Sequence, residues 1–305
     1  MSGEDYTDLR PLLFSIAYGM TGSVADSEDI VQEALLRRHR AAEDTKIESD
    51  RAYLATVTSR LAIDHLRSAR VRREAYVGPW MPEPIVSARE PDPAEHAETA
   101  DSLSLAFLVV LESLTPVERA VFLLREVFDY DYDEIARVVG KTEANCRQVA
   151  VRARAHVEDR KPRFEASRTH RDELADRFFA AAERGDVDAL AKMLAADAEF
   201  YSDSGGKVRG AATHPILGRE NITRLLAYFF GALREHGMRG EQADVNGQPG
   251  VLMRDAEGGL FNIFALDIAC DGSVQTVRSL VNPDKLAHLG RLAPRPPAGS
   301  TPRHG

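Results

Sequence analysis

The stretch DYDYDEIARVVGKTEANCRQVAVRARAHVEDRKPR, residues 129–163, decides how the rest of this chain is interpreted. It predicts two short helices joined by a tight turn. Asp131 and Glu134 form a capping-box pattern at the start of the first helix. Gly140 is expected to end that helix, and Thr142 is a good N-cap for the second.

The second helix of this stretch has an apolar side and a basic side. Its inward side is predicted from small and apolar residues, Val149, Ala150, Ala153 and Val157. Its outward side carries Arg147, Gln148, Arg152 and Arg154. Lys and Arg outnumber Asp and Glu by seven to three between Lys141 and Arg163. This pattern indicates a DNA-binding helix-turn-helix, and the alternative is a helical hairpin with a solvated cationic face.

Composition limits the classes of protein that remain. A chain of 305 residues can form about two domains with real cores. The net charge of −9 argues against a protein that coats nucleic acid, but permits local basic and acidic faces. Cys146 and Cys270 lack metal-ligand spacing, so we expect reduced thiols in the cytoplasm, no metal and no cofactor. No apolar run reaches about 18 residues, which predicts no membrane span.

Residues 8–75 are predicted to form an all-α bundle of three helices. A break at Gly22-Ser23 precedes a second helix with an acidic start and a basic end, which suits the helix dipole. The third helix, from about Asp50 to Arg73, contains six arginines against the single acid Asp64 between residues 51 and 73. This segment therefore presents one acidic helix and one basic helix.

Residues 76–100 are predicted to be a linker, because five prolines prevent a continuous helix. Trp80, the only tryptophan, is expected to dock in an apolar notch rather than remain in water. A second all-α segment, residues 101–163, ends in the helix-turn-helix. Within it, Thr115, Pro116 and Glu118 form a strong helix-start signal.

Residues 170–290 have a different pattern. Two helices, residues 171–185 and 186–195, precede a strand at 198–202, a helix at 218–236 and strands near 250–254, 260–268 and 273–280. Helices followed by a curved antiparallel sheet predict an α+β cone. The tail at 291–305 is predicted to be disordered from its composition.

Three separate segments carry a resemblance to a known family, and the third is in two parts. They are SVADSEDIVQEALLR from Ser23, LAIDHLRSARVRRE from Leu61, LTPVERAVFLLREVFDYDYDEIA from Leu114 and TEANCRQVAVRARAHV from Thr142. Together they resemble the extracytoplasmic-function sigma factors of bacterial RNA polymerase. The order is that of sigma domain 2, a linker and sigma domain 4. The resemblance implies a non-catalytic subunit that binds core polymerase, through its β and β′ subunits, and promoter DNA.

The resemblance also implies the residues of each contact. The acidic helix would bind core polymerase through Asp26, Asp29, Gln32 and Glu33. The basic third helix would hold the −10 element through Asp64, His65, Arg67, Arg70, Arg72 and Arg73. The helix-turn-helix would recognise the −35 element through Thr142, Asn145, Arg147, Gln148, Arg152 and Arg154. Asn145 and Gln148 can pair with adenine and Arg147 with guanine, while Arg152 and Arg154 suit phosphates.

Three further motifs resemble a narrower type, in which a SnoaL-like (NTF2-like) domain follows sigma domain 4. They are WMPEP at 80–84, DSGGK at 203–207 and NPDKL at 282–286. The resemblance implies regulation in cis by contact between linker and cone, with no separate anti-sigma protein. The residues assigned to this contact are Trp80, Pro82, Glu83, Pro84, Asp203, Gly205, Gly206, Lys207, Asn282, Pro283, Asp284, Lys285 and Leu286.

The sequence leaves two rival functions open. One is a SnoaL-like isomerase or cyclase tethered to a DNA-binding module, with Asp203, His214, Asp244 and Asp267 as the available acid–base groups. The other is a regulator whose cone senses a small-molecule ligand. The separate acidic and basic helices favour the sigma factor, because neither rival needs a polymerase contact and a DNA-melting face.

Overall fold

The computed structural model describes residues 6–41, 47, 49–74, 76–87, 103–158 and 168–294. They belong to two compact units, one made of Met1–Ala75 and Ala106–Lys161 and the other of Tyr76–Leu105 and Pro162–Gly305. Residues 88–100 of the predicted linker, 101–102 of the predicted second all-α segment, the end of the predicted helix-turn-helix stretch and the predicted tail from 295 onward lie outside the described residues.

The first unit is helical, as predicted. A 3-10 turn at Tyr6–Leu9 leads into helices α1 Arg10–Thr21, α2 Val24–Ala41 and α3 Asp50–Glu74. After the linker come α4 Leu105–Leu111, α5 Pro116–Glu126, α6 Tyr132–Val139 and α7 Glu143–Glu158. The helices predicted around Gly22-Ser23, from Asp50 and through the helix-turn-helix are therefore confirmed.

Side-chain caps explain where several of these helices begin. Ser23 Oγ accepts the Asp26 N–H at 3.2 Å at the start of α2. At the start of α5, Thr115 Oγ1 accepts the Glu118 N–H at 3.3 Å, and Glu118 Oε2 accepts the Thr115 N–H at 3.0 Å. This reciprocal pair satisfies two of the backbone N–H groups that a helix start leaves without partners.

The two helical segments pack together within the first unit. Arg119 of α5 is 3% exposed and donates to the Met20 carbonyl at the end of α1 over 2.6 Å. Arg60 of α3 donates to the carbonyls of Arg137 and Val138, at 2.5 and 3.2 Å, at the end of α6. Arginine at a helix C-terminus satisfies carbonyls that lack an intrahelical partner. The two segments predicted as sigma domains 2 and 4 are thus in contact within one compact unit.

The second unit is α+β. Its helices are α8 Arg168–Arg184, α9 Val187–Met193, α10 Arg219–Glu235 and the short α11 Pro283–Leu286, followed by a 3-10 turn at Ala287–Leu289. Its strands are β1 Val86–Ser87, β2 Leu194–Asp203, β3 Ile216–Leu217, β4 Arg239–Val245, β5 Gln248–Arg254, β6 Leu260–Ile268 and β7 Val274–Leu280. They form one sheet in the order β1-β4-β5-β6-β7-β2-β3.

Two details of the sheet differ from the sequence prediction. The sheet is mixed rather than antiparallel, because β2 pairs with β7 in parallel. The helix α10 lies between β2 and β4 in the chain and supplies the crossover that places β2 on the far side of β7. The sequence also missed β1, β3 and β4, and the exposed polar residues that begin β4 explain why no alternation marks it.

Apolar side chains cover both faces of the central strand β6. Phe264 belongs to a core cluster with Phe178 and Phe230, which come from α8 and α10. Ile263 belongs to a second cluster with Met81 of the linker. Neighbouring residues of a strand point to opposite faces, so the helices cover one face and the linker covers part of the other. The described linker residues are thus part of the second unit.

Candidate nucleic-acid interface and buried motif cluster

The helix α7 has a clear division between buried and exposed residues. Its buried residues are Cys146, Val149, Ala150, Ala153 and Val157, which include all four predicted inward-facing side chains. All six residues predicted to contact DNA are exposed, namely Thr142, Asn145, Arg147, Gln148, Arg152 and Arg154. Thr142 Oγ1 also accepts the Asn145 N–H at 3.3 Å and caps the helix. Gly140 ends α6 in the left-handed region with φ of 68°.

Two of the exposed arginines are already engaged by local acids. Arg147 donates to Glu143 Oε2 at 2.8 Å, and its guanidinium lies 5.1 Å from the centre of the Tyr132 ring. Arg154 donates to Glu126 Oε1 at 2.5 Å. Such exposed ion pairs contribute little to stability. A phosphate or base edge can therefore replace either acid at little cost.

The predicted polymerase-binding residues lie along α2. Asp29 and Gln32 are exposed, and Glu33 Oε1 lies 2.7 Å from Arg37 Nε. Asp26 instead faces α3, where its Oδ2 lies 3.3 Å from His65 Nε2. Asp29, Gln32 and Glu33 can thus reach a partner, whereas Asp26 is partly occupied by a contact within the unit.

The predicted −10 residues occupy the second half of α3. Asp64 and Arg67 are exposed and lie 3.2 Å apart between Oδ1 and Nη1. His65 is partly buried against α2. Arg70, Arg72 and Arg73 continue the same helix, but their side chains lie outside the described part of the structure. The structure therefore gives the helix for this whole set and the side-chain contacts only for its first half.

A buried carboxylate lies at the centre of the three sequence motifs of the second unit. Asp203, the last residue of β2, is fully buried. It accepts hydrogen bonds from the Tyr76 hydroxyl and from the Met81 N–H, the latter at 2.7 Å. Lys285 Nζ lies 2.7 Å from Asp203 Oδ2, the oxygen that also accepts the Met81 N–H. One carboxylate thus joins the linker to both DSGGK and NPDKL.

Lys285 completes this buried cluster from the other side. Its ammonium also donates to the Met81 carbonyl and lies 4.8 Å from the Tyr76 ring centre and 4.4 Å from that of Trp80. Two aromatic faces and a carboxylate are a favourable environment for a desolvated cation. Burial raises the pKa of the Tyr76 phenol, and the Asp203 charge raises it further.

The two glycines of DSGGK let the linker approach closely. Gly205 has φ of 56°, and a Cβ there would lie 2.5 Å from Asn282 Nδ2 and 3.1 Å from the Tyr76 hydroxyl. Gly206 has φ of 72°, and its Cβ would lie 3.0 Å from Val77. Both positions therefore require glycine for backbone conformation and for space.

Further contacts hold the linker along the edge of the sheet. The two residues of β1 pair with the end of β4. Ile85 N–H donates to Asn246 Oδ1 at 2.9 Å, and Asn246 Nδ2 donates to the Leu103 carbonyl at 3.1 Å. His288 Nε2 lies 2.9 Å from the Pro84 carbonyl oxygen. Lys207 and Asp284 form an exposed ion pair between DSGGK and NPDKL.

The assigned regulatory residues differ in how directly they take part. Asp203, Asn282 and Lys285 form the buried hydrogen bonds, and Trp80 stacks near the Lys285 ammonium. Pro82, Pro84 and Leu286 are buried, and Pro283 is the first residue of α11. Glu83 is partly exposed. Tyr76, Met81, Asn246 and His288 were missed, and only the Asn246-Gly247 pair gave a signal, because Asn-Gly favours a hairpin turn.

The candidate acid–base groups of the second unit serve structural contacts. Asp203 is engaged as described, and Asp267 Oδ2 accepts from Arg278 at 2.6 and 3.0 Å. Asp244 Oδ1 accepts the Gly247 N–H at 2.6 Å, and His214 is exposed. A cleft of about 260 Å³ contains none of these four acid–base groups. It is lined by Glu183, Phe230, Arg234, Met238, Arg239, Gly240 and Met253. This arrangement does not favour the enzyme alternative.

Two negative findings concern the described residues. No group of three or more His, Cys, Asp or Glu side chains in the described ranges is arranged to hold a metal ion. Within those ranges, no helix combines the length and the apolar character needed to cross a membrane.

Family models match the two helical segments. The sigma-70 region 2 model matches residues 6–72, and the sigma-70 region 4 model matches residues 104–157. The ECF RNA polymerase sigma factor SigJ of Mycobacterium tuberculosis is 37% identical over 297 residues, which cover 93% of each chain. SigG of the same species, also an ECF RNA polymerase sigma factor, is 29% identical over 86% of this chain and 76% of its own.

A solved structure agrees with these relatives. The crystal structure of M. tuberculosis SigJ superposes with a TM-score of 0.73 at 33% identity, covering 94% of this chain and 98% of the other. The similarity thus includes the α+β unit as well as the two helical segments. The chain belongs to the extracytoplasmic-function (ECF) RNA polymerase sigma factors.

Proposed function

We propose that this protein directs core RNA polymerase to promoters through separate −10 and −35 contacts, and that its α+β domain regulates this activity in cis. Sigma factors are non-catalytic polymerase subunits. The observation that carries the proposal is the pair of region 2 and region 4 matches within a chain that aligns with SigJ over 93% of its length. The exposed basic face of α7 supports DNA binding by region 4.

The contacts divide among three surfaces. Asp29, Gln32 and Glu33 on α2, with Asp26 beside them, are proposed to bind the β and β′ subunits of core polymerase. The second half of α3 is proposed to hold the −10 element, and α7 the −35 element. Exposed acids on α2 suit a basic protein partner, whereas exposed Arg67 on α3 and the exposed arginines on α7 suit phosphates. We place this activity in the cytoplasm, with the polymerase.

Run-off transcription tests the proposed activity. Purified chain and core polymerase are combined with promoter fragments selected from a randomised DNA pool by the same two proteins. We expect transcripts of one length that require both proteins. If no fragment is enriched and no transcript forms, the sigma-factor proposal is wrong for this chain.

The buried motif cluster supports regulation in cis. Asp203 and Lys285 fix the Tyr76–Met81 segment, which immediately follows the −10 helix in the chain and precedes region 4. Once this segment is docked, the chain that connects the −10 helix α3 with region 4 has fewer conformations available to it. We therefore propose that docking of the linker sets promoter-directed activity, without a separate anti-sigma protein. A small-molecule ligand of the α+β domain would act by changing this docking.

Two glycine variants test this regulation in the full-length chain. Gly205→Ala places a methyl group 2.5 Å from Asn282 Nδ2 and 3.1 Å from the Tyr76 hydroxyl, so Asn282 must shift and its hydrogen bond to Tyr76 is disturbed. Gly210→Ala is the matched control, because Gly210 also has positive φ, 79°, but has no atom within 4 Å of the added carbon. We expect the first variant, and Trp80→Ala, to change transcription, and the control to resemble wild type. If all three transcribe like wild type across core-enzyme concentrations, the α+β domain is an independent passenger.

A further inference from the structure

The centre of the exposed face of α7 carries uncharged rather than basic side chains. At 3.6 residues per turn, Gln148, Val151 and Ala155 lie within about 45° of the direction opposite the buried residues. Arg147 and Arg152 lie farther round, on the two flanks. In a helix-turn-helix the recognition helix enters the major groove. The side chains at the centre of its exposed face then point towards base edges, whereas long side chains on its flanks can reach either phosphates or base edges.

Val151 is the large apolar side chain in this central position. It is 64% exposed, so it contributes little to the core of the unit. Valine also has a lower helix propensity than alanine, and its neighbours Ala150 and Ala153 show that alanine fits this helix. Val151 therefore adds little to packing or to helix formation, and its isopropyl group is available at the surface of α7.

The major groove of DNA contains one apolar group that an exposed isopropyl group can contact. Thymine is the one base of the four that presents a methyl group there, at C5, and small apolar side chains recognise it by direct contact. Gln148, three residues earlier, can bond to a base edge on the same face. An apolar contact beside an amide contact would distinguish thymine from cytosine in the position that Val151 faces.

We propose that Val151 is a specificity-determining residue, which recognises the C5-methyl group of a thymine in the major groove of the −35 element. This inference rests on the proposed function. It adds a base-reading contact to the polar residues predicted from the sequence. Arg154, which lies on one flank and is paired with Glu126, then holds the helix on the phosphate backbone.

Replacing thymine by uracil tests the contact, because uracil differs from thymine only by lacking the C5-methyl group. The duplexes come from the selected promoter fragments, with each thymine of the −35 element replaced in turn. Binding is measured for full-length chain with core polymerase, as wild type, as Val151→Ala and as Val187→Ala. Val187 is a matched control, since it is 44% exposed on α9 of the other unit.

We expect one uracil substitution to weaken wild-type binding about fourfold, the value for removal of one buried methyl group. Val151→Ala should bind the thymine duplex about fourfold more weakly and should no longer distinguish thymine from uracil at that position. Val187→Ala should behave like wild type.

Three results would overturn the proposal while leaving the sigma-factor function intact. In the first, no uracil substitution affects wild-type binding. In the second, Val151→Ala keeps the full discrimination. In the third, the selected −35 element contains no thymine. Failure of the sigma-factor proposal itself gives a different result, because no duplex of either kind is then bound specifically.

Discussion

Removing the buried cation of the motif cluster should release the linker from the α+β domain. In Lys285→Met the stem of the side chain keeps its volume, but Asp203 loses the ammonium 2.7 Å away. Trp80 loses the cation 4.4 Å from its ring centre. Both side chains of the ion pair are buried, with 10% and 0% of their surface exposed.

The cost of this change follows from the environment of Asp203. Breaking a buried ion pair by removing one partner costs about 3–5 kcal/mol, because the other charge stays buried and uncompensated. We expect the lower end of this range, since Asp203 keeps its hydrogen bonds from Tyr76 and Met81. With an m-value of about 1–3 kcal/mol per molar urea, the midpoint should fall by at least about 1 M.

Trp80 fluorescence is the appropriate measurement, because Trp80 is the only tryptophan of the chain and lies in the cluster. Urea titrations are followed by this signal and, in parallel, by far-ultraviolet circular dichroism. The double variant Lys285→Met with Asp203→Asn is the control, because it removes both charges and should recover much of the loss. Two results would refute this reasoning. In one, the urea midpoint of Lys285→Met falls by less than about 0.5 M. In the other, the stability loss of the double variant equals the sum of the losses in Lys285→Met and Asp203→Asn.

Three further predictions concern the acidic helix α2, the helix α7 and the phenol of Tyr76. Reversing Asp29 and Glu33 to Lys together should abolish co-purification with core polymerase in a variant whose circular dichroism is unchanged; retained binding would contradict the assignment of α2. Arg147→Ala should weaken promoter binding by about 1–3 kcal/mol with altered preference at one base pair, and Arg154→Ala should weaken all sequences alike; equal, sequence-blind losses in binding assays would show that the guanine assignment is wrong. The raised pKa of Tyr76 means that the folded state favours its neutral phenol, so this contribution to linker docking is complete below about pH 10 and is lost as the pH rises further. Fluorescence-monitored urea midpoints should therefore fall above pH 10 less steeply in Tyr76→Phe than in wild type, and identical slopes would contradict this.

The sequence by itself determined the helical elements and most of their ends. Caps and periodicity are local signals, so Ser23, Thr115, Gly140 and Thr142 predicted helix boundaries that the structure confirms. The buried and exposed sides of α7 were predictable for the same reason. The resemblance of three segments to the ECF sigma factors was likewise available from the order of the residues alone.

Only the tertiary structure decided which distant residues share an environment. The strand β4 begins with exposed polar residues and gains its place from pairing with β5 and β1, so no local pattern marks it. The parallel pairing of β2 with β7 depends on a crossover between them. Asp203 and Lys285 are 82 positions apart, and Tyr76 lies farther away still. Their charges become a buried ion pair only when the sheet and the linker exclude water from both, and burial is a property of the folded chain.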